Sequence, residues 1–349
     1  MSRFQMSPNA IDPRKLNTVT LANRIRMPKI GLGTFGSDHA SADTVANTVR
    51  EALRLGYRYI DCASCYGNEE EIGCVLREAM NAGLPREELF ILGKLWNDKH
   101  DPQEAIKACN KSIEALQISY FDAYLIHWPF PNYHAPGCDG DARNPLSRPY
   151  IHEEFMATWR ALEGLADVGK IRALGTSNVT IPKLSMILRD CRRRPLINEM
   201  ELHPCFQQGE LFQFCVDNQI QPIAYSPLGS PARPERDKTA DDLSDMEQKI
   251  VVDIAAAHGV HPAAVCLKWA VQRGVIPIPF TTKPRNALSN LEAVTQDPLT
   301  PAEMEAMRSV DRNCRLIKGQ VFLWPGADTW LDLWDVDGTI PGWNGYTHG

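Results

Sequence analysis

From Ser41 onward the chain alternates between two hydrophobic periods. Short apolar runs rich in Val, Ile, Leu, Phe and Tyr read as strands, and the stretches between them repeat apolar residues at helical spacing. The runs predict strands at 28–32, 57–60, 89–93, 121–126, 171–176, 196–200, 221–224 and 275–278. The helical stretches begin at Ser41, where Val45, Val49, Ala52 and Leu53 share a face, and continue at 68–82, 101–116, 152–168, 182–191, 209–217, 244–258, 261–272 and 284–293, with a last helix opening at Thr300. Start signals support several of these. Asp101 before Pro102 reads as a cap with Glu104 closing a capping box, and Ser244 with Glu247 reads as a second box. Eight strands alternating with helices imply a parallel sheet, either an open doubly wound one or a closed (β/α)8 TIM barrel.

The polar residues favour the barrel. Asp61, Lys94, His127, the pair Ser177 and Asn178, Glu199 and Tyr225 each stand at the C-terminal end of successive strands. Only in a closed barrel do all those ends meet on one rim, the place where such folds build their sites. The glycines Gly31, Gly33 and Gly36, with Asp61 further on, match a dinucleotide-binding fingerprint. Pro28 and Lys29 make a poor buried strand, however, and the next helix starts too late to carry a phosphate on its first turn. The expected organisation is one domain: an N-terminal extension or hairpin over 1–27, the barrel over 28–311 and a C-terminal loop over 312–349.

Composition narrows the class. The 349 residues are 44% hydrophobic and 23% charged, as in ordinary globular proteins. A net charge of −6 argues against a nucleic-acid partner, and the basic run Arg192-Arg193-Arg194 reads as a solvated helix end. No apolar run approaches the roughly 20 residues of a membrane span. Ten scattered cysteines, several in apolar contexts, suggest free thiols and a cytoplasmic, reducing compartment. Cys62 and Cys65 form a lone C-x-x-C without a ligand set for zinc, so no metal is expected.

The candidate chemistry lies around Tyr66. A phenol titrates near ~10 and becomes a useful acid when a cation lowers that value. Lys94, at the end of the neighbouring strand, is placed to do so, with Asp61 holding Lys94 and His127 orienting a carbonyl.

These residues sit in longer motifs: Gly-Tyr-Arg-Tyr-Ile-Asp-Cys-Ala with Tyr-Gly-Asn-Glu from Gly56, Leu-Ile-His-Trp-Pro around His127, Gly-Thr-Ser-Asn-Val from Gly175, Glu-Leu-His-Pro from Glu201 and Ala-Tyr-Ser-Pro-Leu-Gly from Ala224. In this order, over roughly residues 26 to 312, the chain resembles the aldo-keto reductases, of the aldose and aldehyde reductase kind. The resemblance implies a (β/α)8 barrel that binds a nicotinamide cofactor without a Rossmann fold, and the glycine fingerprint is set aside. It implies Asp61, Tyr66, Lys94 and His127 as a catalytic tetrad. Ser177, Asn178 and Glu199 would hold the nicotinamide carboxamide, Tyr225 would stack on the ring, and Ser226, Leu228 and Ser230 would form the pyrophosphate loop. Thr34 and Asn290 are further cofactor positions, and Phe35, Trp96, Trp128 and Trp324 would line the substrate pocket.

Two departures matter. The family often has Gln where this chain has Glu199, and an ionised carboxylate accepts but cannot donate. Where relatives read Ile-Pro-Lys-Ser followed by an Arg for the adenosine 2′-phosphate, this chain reads Ile278-Pro279-Phe280-Thr281-Thr282-Lys283-Pro284-Arg285-Asn286. Phe280 takes the Lys position and Asn286 the Arg position, leaving Lys283 and Arg285 as substitutes. NADP(H) is therefore slightly favoured, with NAD(H) as the alternative.

The connection from Trp128 to Ile151 and the tail read as substrate loops. The tail holds Trp324, Trp330, Trp334 and Trp343 among Asp328, Asp332, Asp335 and Asp337, which resembles a sugar site. The expected activity is reduction of an aldehyde or ketone, a sugar among the candidates. A polyol dehydrogenase running the same site in reverse and a cofactor-sensing barrel without turnover, like the potassium-channel β subunits, are the other readings. The expected partner is a small carbonyl substrate, and the expected assembly a monomer or weak homodimer.

Overall fold

The structure, a computed structural model of the chain, describes residues 4–36, 39–135, 138–139 and 142–341. A two-stranded antiparallel hairpin, β1 (Thr18–Thr20) and β2 (Arg26–Pro28), precedes eight parallel strands in sequential order. These are β3 (Leu32–Gly33), β4 (Tyr59–Asp61), β5 (Phe90–Leu95), β6 (Phe121–Ile126), β7 (Ile171–Ser177), β8 (Ile197–Glu201), β9 (Gln221–Tyr225) and β10 (Ile276–Pro277). The first and last strands close the sheet on itself: Gly31 N–H donates to the Pro277 carbonyl at 3.0 Å and Gly33 N–H to the Pro279 carbonyl at 3.1 Å. That closure needs glycine, because a Cβ on Gly33 would lie 2.8 Å from the Ile278 carbonyl oxygen. The structure is thus the (β/α)8 barrel expected from the sequence.

The helices are α1 (Ala42–Leu55), α2 (Glu69–Asn81), α3 (Pro102–Ala115), α4 (His152–Asp167), α5 (Ile181–Asp190), α6 (Gly209–Asp217), α7 (Lys249–His258), α8 (Pro262–Arg273), α9 (Pro284–Thr295) and α10 (Pro301–Arg308). No single helix among the described residues is long and apolar enough to cross a membrane.

Strand periodicity sorts the core into two shells. Inward positions Tyr59, Phe90, Leu92, Ala123, Leu125, Ala173, Ile197, Ile223 and Ile276 fill the barrel, while residues such as Ile60, Ile91, Tyr124 and Leu174 face the helices. Leu21 and Met27 of the hairpin region join the inner cluster. The hairpin therefore plugs the N-terminal mouth, and Asn23 donates to the Arg172 carbonyl there at 3.0 Å.

Three local expectations are corrected, and the start of α2 adds a detail. The run 28–32 is divided: Pro28 ends the hairpin, and the first barrel strand is only Leu32–Gly33. Asp101 caps α3 by accepting from the Gln103 and Glu104 amides, but Glu104 turns outward to Lys107 at 2.8 Å instead of closing a box. Ser244 makes no side-chain cap; a 3-10 turn at Asp245–Glu247 intervenes and α7 begins at Lys249. Asn68 precedes α2 without capping it, because its amide donates to the Thr34 carbonyl at 2.9 Å.

Candidate active site

Continuing each inward register by two residues leads from apolar core to polar rim. Tyr59 is followed by Asp61, Leu92 by Lys94, Leu125 by His127, Ile197 by Glu199 and Ile223 by Tyr225. On β7 the same step from Ala173 passes Gly175 to Ser177. A Cβ at Gly175 would lie 2.4 Å from Leu125 Cδ2, so this inward position must be small. Alternation alone thus delivers the polar side chains of β4 to β9 to one end of the barrel.

Lys94 is the centre of the group. Its ammonium donates to Asp61 Oδ1, stands 3.3 Å from the Tyr66 hydroxyl and lies 3.2 Å from Glu199 Oε1. Tyr59 donates its hydroxyl to the other Asp61 oxygen at 2.9 Å. Lys94, Asp61 and Glu199 are all buried, and Tyr66 is half-buried. Burial alone would discharge Lys94, but the flanking Asp61 and Glu199 outweigh it and hold the ammonium well above the ordinary lysine range. His127 is driven well below its ordinary value, first by burial and then by Lys94, so it is a neutral imidazole. Its ring stands 5.8 Å from Tyr66 and 5.2 Å from Trp96, and Nδ1 lies 3.6 Å from the Cys65 thiol.

One expectation is overturned in sign. Lys94 does pull the Tyr66 phenol down, but burial pushes it up by more and Asp61 and Glu199 add to the rise. The net position is well above the ordinary tyrosine value, so Tyr66 is a protonated phenol. That is the form a proton donor needs.

The remaining cofactor candidates gather beside this group. Asn178 adopts φ 59°, donates to the His127 carbonyl at 3.0 Å and accepts from the Tyr225 hydroxyl at 2.6 Å. Ser177 pairs in register with Glu199 across β7 and β8. Glu199 Oε2 is buried with no hydrogen-bond partner. Thr34 donates to the Asp61 carbonyl at 2.6 Å. Ser226 and Ser230 both hold positive φ, and the Ser230 hydroxyl donates to Ser226 at 2.7 Å. Leu228 packs toward Ala264, Leu267 and Ala293. Beyond β10, Phe280 is half-buried and Thr281 accepts from the Lys283 amide at 3.2 Å. Thr282, Lys283 and Arg285 are exposed, and neither cation has an ion-pair partner among the described residues. Asn290 is buried near the Tyr57 hydroxyl.

Aromatic rings form the outer wall. Phe35 stands 5.1 Å from Tyr66, and Trp96 and Trp128 both contact Phe322 of the tail, at 6.0 and 4.5 Å. Trp324 and Trp330 pack on the same cluster, whereas Trp343 lies outside the described residues. Phe322 carries no sequence motif and was not singled out. Tyr59 was also missed, although its place two residues before Asp61 on one strand puts both on the inner face. Three of the four tail carboxylates are engaged within the chain. Asp332 accepts from the Asp328 and Thr329 amides, Asp337 from Thr339, and Asp335 is buried against Lys183 at 2.5 Å. A cleft of about 320 Å³ near the long connection, lined by Asn97, His100, Tyr133 and Arg148 among others, includes none of the rim residues.

The sequence profile of the Aldo/keto reductase family matches residues 29–312. The chain belongs to the aldo/keto reductase family. It is 38% identical over 317 residues to an aldo/keto reductase of Synechocystis, covering 90% of this chain and 95% of that one. To the human aldo-keto reductase family 1 member A1 it is 39% identical over 299 residues, covering 84% and 88% of the two chains. Among solved structures, an aldo-keto reductase of Bombyx mori in complex with NADP superposes with a TM-score of 0.77 at 28% identity, covering 88% of this chain and 96% of that one. An aldo-keto reductase from a deep-sea metagenome library gives 0.72 at 30% identity, covering 86% and 97%. This aldo/keto reductase is therefore an oxidoreductase, and its glycine-rich 31–36 segment is the first barrel strand and its exit rather than a Rossmann loop.

Proposed function

We propose that this aldo/keto reductase reduces an aldehyde or ketone to the alcohol, with Tyr66 as the proton donor. The observation that supports this most directly is the buried ammonium of Lys94 in contact with Tyr66, Asp61 and Glu199. The residues present fit a nicotinamide cofactor. Glu199 keeps a buried oxygen without a partner beside Ser177 and Asn178, the Tyr225 ring is adjacent, and two cations with no ion-pair partner among the described residues stand at the start of α9.

Ser177, Asn178, Glu199 and Tyr225 would hold the nicotinamide end, with Thr34 buttressing Asp61 behind it. Ser226, Leu228 and Ser230 would cradle the pyrophosphate. Thr281, Thr282, Lys283 and Arg285, with Phe280 and Asn290, would meet the adenosine end. When bound, the cofactor supplies the hydride that the carbonyl carbon receives. The protein's part is the proton: Tyr66 gives its hydroxyl proton to the carbonyl oxygen, and the Lys94 charge stabilises the phenolate left behind. Neutral His127 offers one N–H to orient the carbonyl. Phe35, Trp96 and Trp128, with Trp324 in the same cluster, supply the apolar wall.

The Bombyx mori relative was solved in complex with NADP. Lys283 and Arg285 support NADP(H) here too, with NAD(H) also used because neither stands at the usual phosphate-gripping position. A cytoplasmic protein is supported by ten free cysteines, including Cys62 and Cys65. Monomer or weak homodimer remains the expected assembly. The test is loss of nicotinamide absorbance with a panel of carbonyl compounds and each reduced cofactor. Absence of turnover with every carbonyl, in protein that still binds cofactor, would favour the sensing barrel instead.

A further inference from the structure

Glu199 is the acidic residue that the tetrad does not require. It stands on β8 at the inward position level with Ser177, and the Asn178 amide donates to its carbonyl oxygen at 2.9 Å. Asp61 and Tyr59 face it from β4, Tyr66 from the turn after β4, Lys94 from β5 and Tyr225 from β9. Glu201 lies two residues further along its own strand, and His127 borders Lys94. Of these neighbours, Lys94 alone is a permanent cation. One ammonium between two buried carboxyl groups can neutralise only one, so the second is stable only with a proton. Asp61 has the direct Lys94 bond and the Tyr59 hydroxyl, whereas Glu199 Oε2 has no partner. The proton therefore belongs on Glu199, and burial together with Asp61 raises Glu199 well above the ordinary glutamate value.

This bears on the two forms of the cofactor, and it rests on the function proposed above. Hydride loss turns a neutral dihydronicotinamide into a cation, and a neighbouring carboxyl group stabilises that cation only when ionised. We propose that Glu199 sets which redox form of the cofactor this site holds more tightly: protonated, it favours the neutral reduced ring, and ionised, it favours the cationic oxidised ring. With glutamine at this position the preference would not change with pH. The direction of catalysis would then be gated through one side chain, toward reduction at low pH and toward alcohol oxidation as Glu199 loses its proton.

The experiment is quenching of protein fluorescence by NADP+ and by NADPH, titrated between about pH 6 and 9, for the wild type and Glu199→Gln. In the wild type the ratio of the NADPH Kd to the NADP+ Kd should rise with pH by about tenfold or more, as expected for a unit charge beside a partly buried cation. In Glu199→Gln the ratio should stay flat. Calorimetry of the wild type in two buffers of different ionisation enthalpy gives a readout independent of the variant's folding: NADP+ binding should release more protons than NADPH binding. Equal proton release for the two forms, or the same pH-dependent ratio in Glu199→Gln, overturns the inference while leaving the reductase reading intact. Binding of neither form would overturn that reading, and this inference with it.

Discussion

Asp335 reaches Lys183 across 152 residues of chain, and the two charged groups meet at 2.5 Å with almost no exposure to solvent. Thr180 donates its hydroxyl to the same carboxylate oxygen, so one tail residue is bound to α5 and the turn that precedes it. Trp334, its neighbour, packs 5.5 Å from Trp128 and donates its indole N–H to the Lys318 carbonyl at 2.9 Å. Arg315 lies over the Trp334 ring at 3.4 Å. The tail is therefore latched to the barrel beside the aromatic wall.

Removing one partner of a buried pair typically costs about 3–5 kcal/mol, while replacing both by apolar groups is often neutral. In Asp335→Ala the stranded Lys183 has a cheaper escape, since peeling off the tail exposes it to water. Asp335→Ala is thus expected to make the segment 318–340 far more sensitive to limited proteolysis. The double change Lys183→Met with Asp335→Leu should restore most of the resistance. Unaltered cleavage in Asp335→Ala would show that the latch does not hold the tail.

His203 gives a pH prediction for stability. It lies between Glu201 at 3.1 Å and Asp245 at 2.9 Å, all three buried, and their hydrogen bonds and charges overcome its burial and raise it to about 9. An unfolded histidine titrates near ~6.5. Its stabilising contribution is therefore complete below ~6.5 and is lost as pH rises through about 9. Glu201 is held below its ordinary value, most strongly by His203, so its contribution is present above ~4.5 and fades as pH falls. The denaturation midpoint should fall between about pH 6.5 and 9 in the wild type, and His203→Gln should be less stable at pH 6 but flatter across that range. A wild-type midpoint that does not change over this interval would exclude a charged His203.

The gathering of polar residues on one rim was legible because its signal is local. Each polar residue ends an apolar strand, and alternation with the inward apolar positions carries it to one face. The latch and the His203 cluster left no such trace. Lys183 sits inside a helix and Asp335 in an irregular tail, and nothing in either neighbourhood specifies the other. His203 and Asp245 are 42 residues apart, and the Asp245 carboxylate also accepts from the Cys205 amide at 2.6 Å. This tertiary use of Asp245 accompanies the 3-10 turn that displaced the expected start of α7. Sequence reasoning also misjudged the sign at Tyr66. It counted the approaching lysine but not the burial, nor the Asp61 carboxylate that already claims its charge.

For the chemistry, Tyr66→Phe should lower kcat by about 10²–10⁴-fold, the usual worth of general acid catalysis, with cofactor Kd nearly unchanged. Lys94→Met should lose activity as well, because the phenolate formed on proton transfer would have no cation beside it and would face Asp61 and Glu199 alone. Stopped-flow transfer rates with reduced cofactor, compared with fluorescence Kd values, separate the two effects. A Tyr66→Phe enzyme retaining more than half of wild-type kcat would rule out Tyr66 as the donor.

Cofactor choice turns on a short segment in which the structure places cations but no clamp. Phe280 is half-buried and cannot donate, and Asn286 offers only a neutral amide. Lys283 precedes the first turn of α9 and Arg285 stands within it, both exposed. Exposed cations gain little from a phosphate unless the geometry is bidentate, because water and salt screen them. Discrimination should therefore be shallow: NADPH preferred over NADH by no more than roughly tenfold, about 1.4 kcal/mol. Changing Lys283 and Arg285 together to Ala should raise the NADPH Kd toward that of NADH and leave NADH binding unaltered. High salt should narrow the wild-type difference for the same reason. Fluorescence titration of both cofactors against both proteins checks each statement. A wild-type preference above a thousandfold would mean that this segment rearranges on binding into a full phosphate clamp despite Phe280.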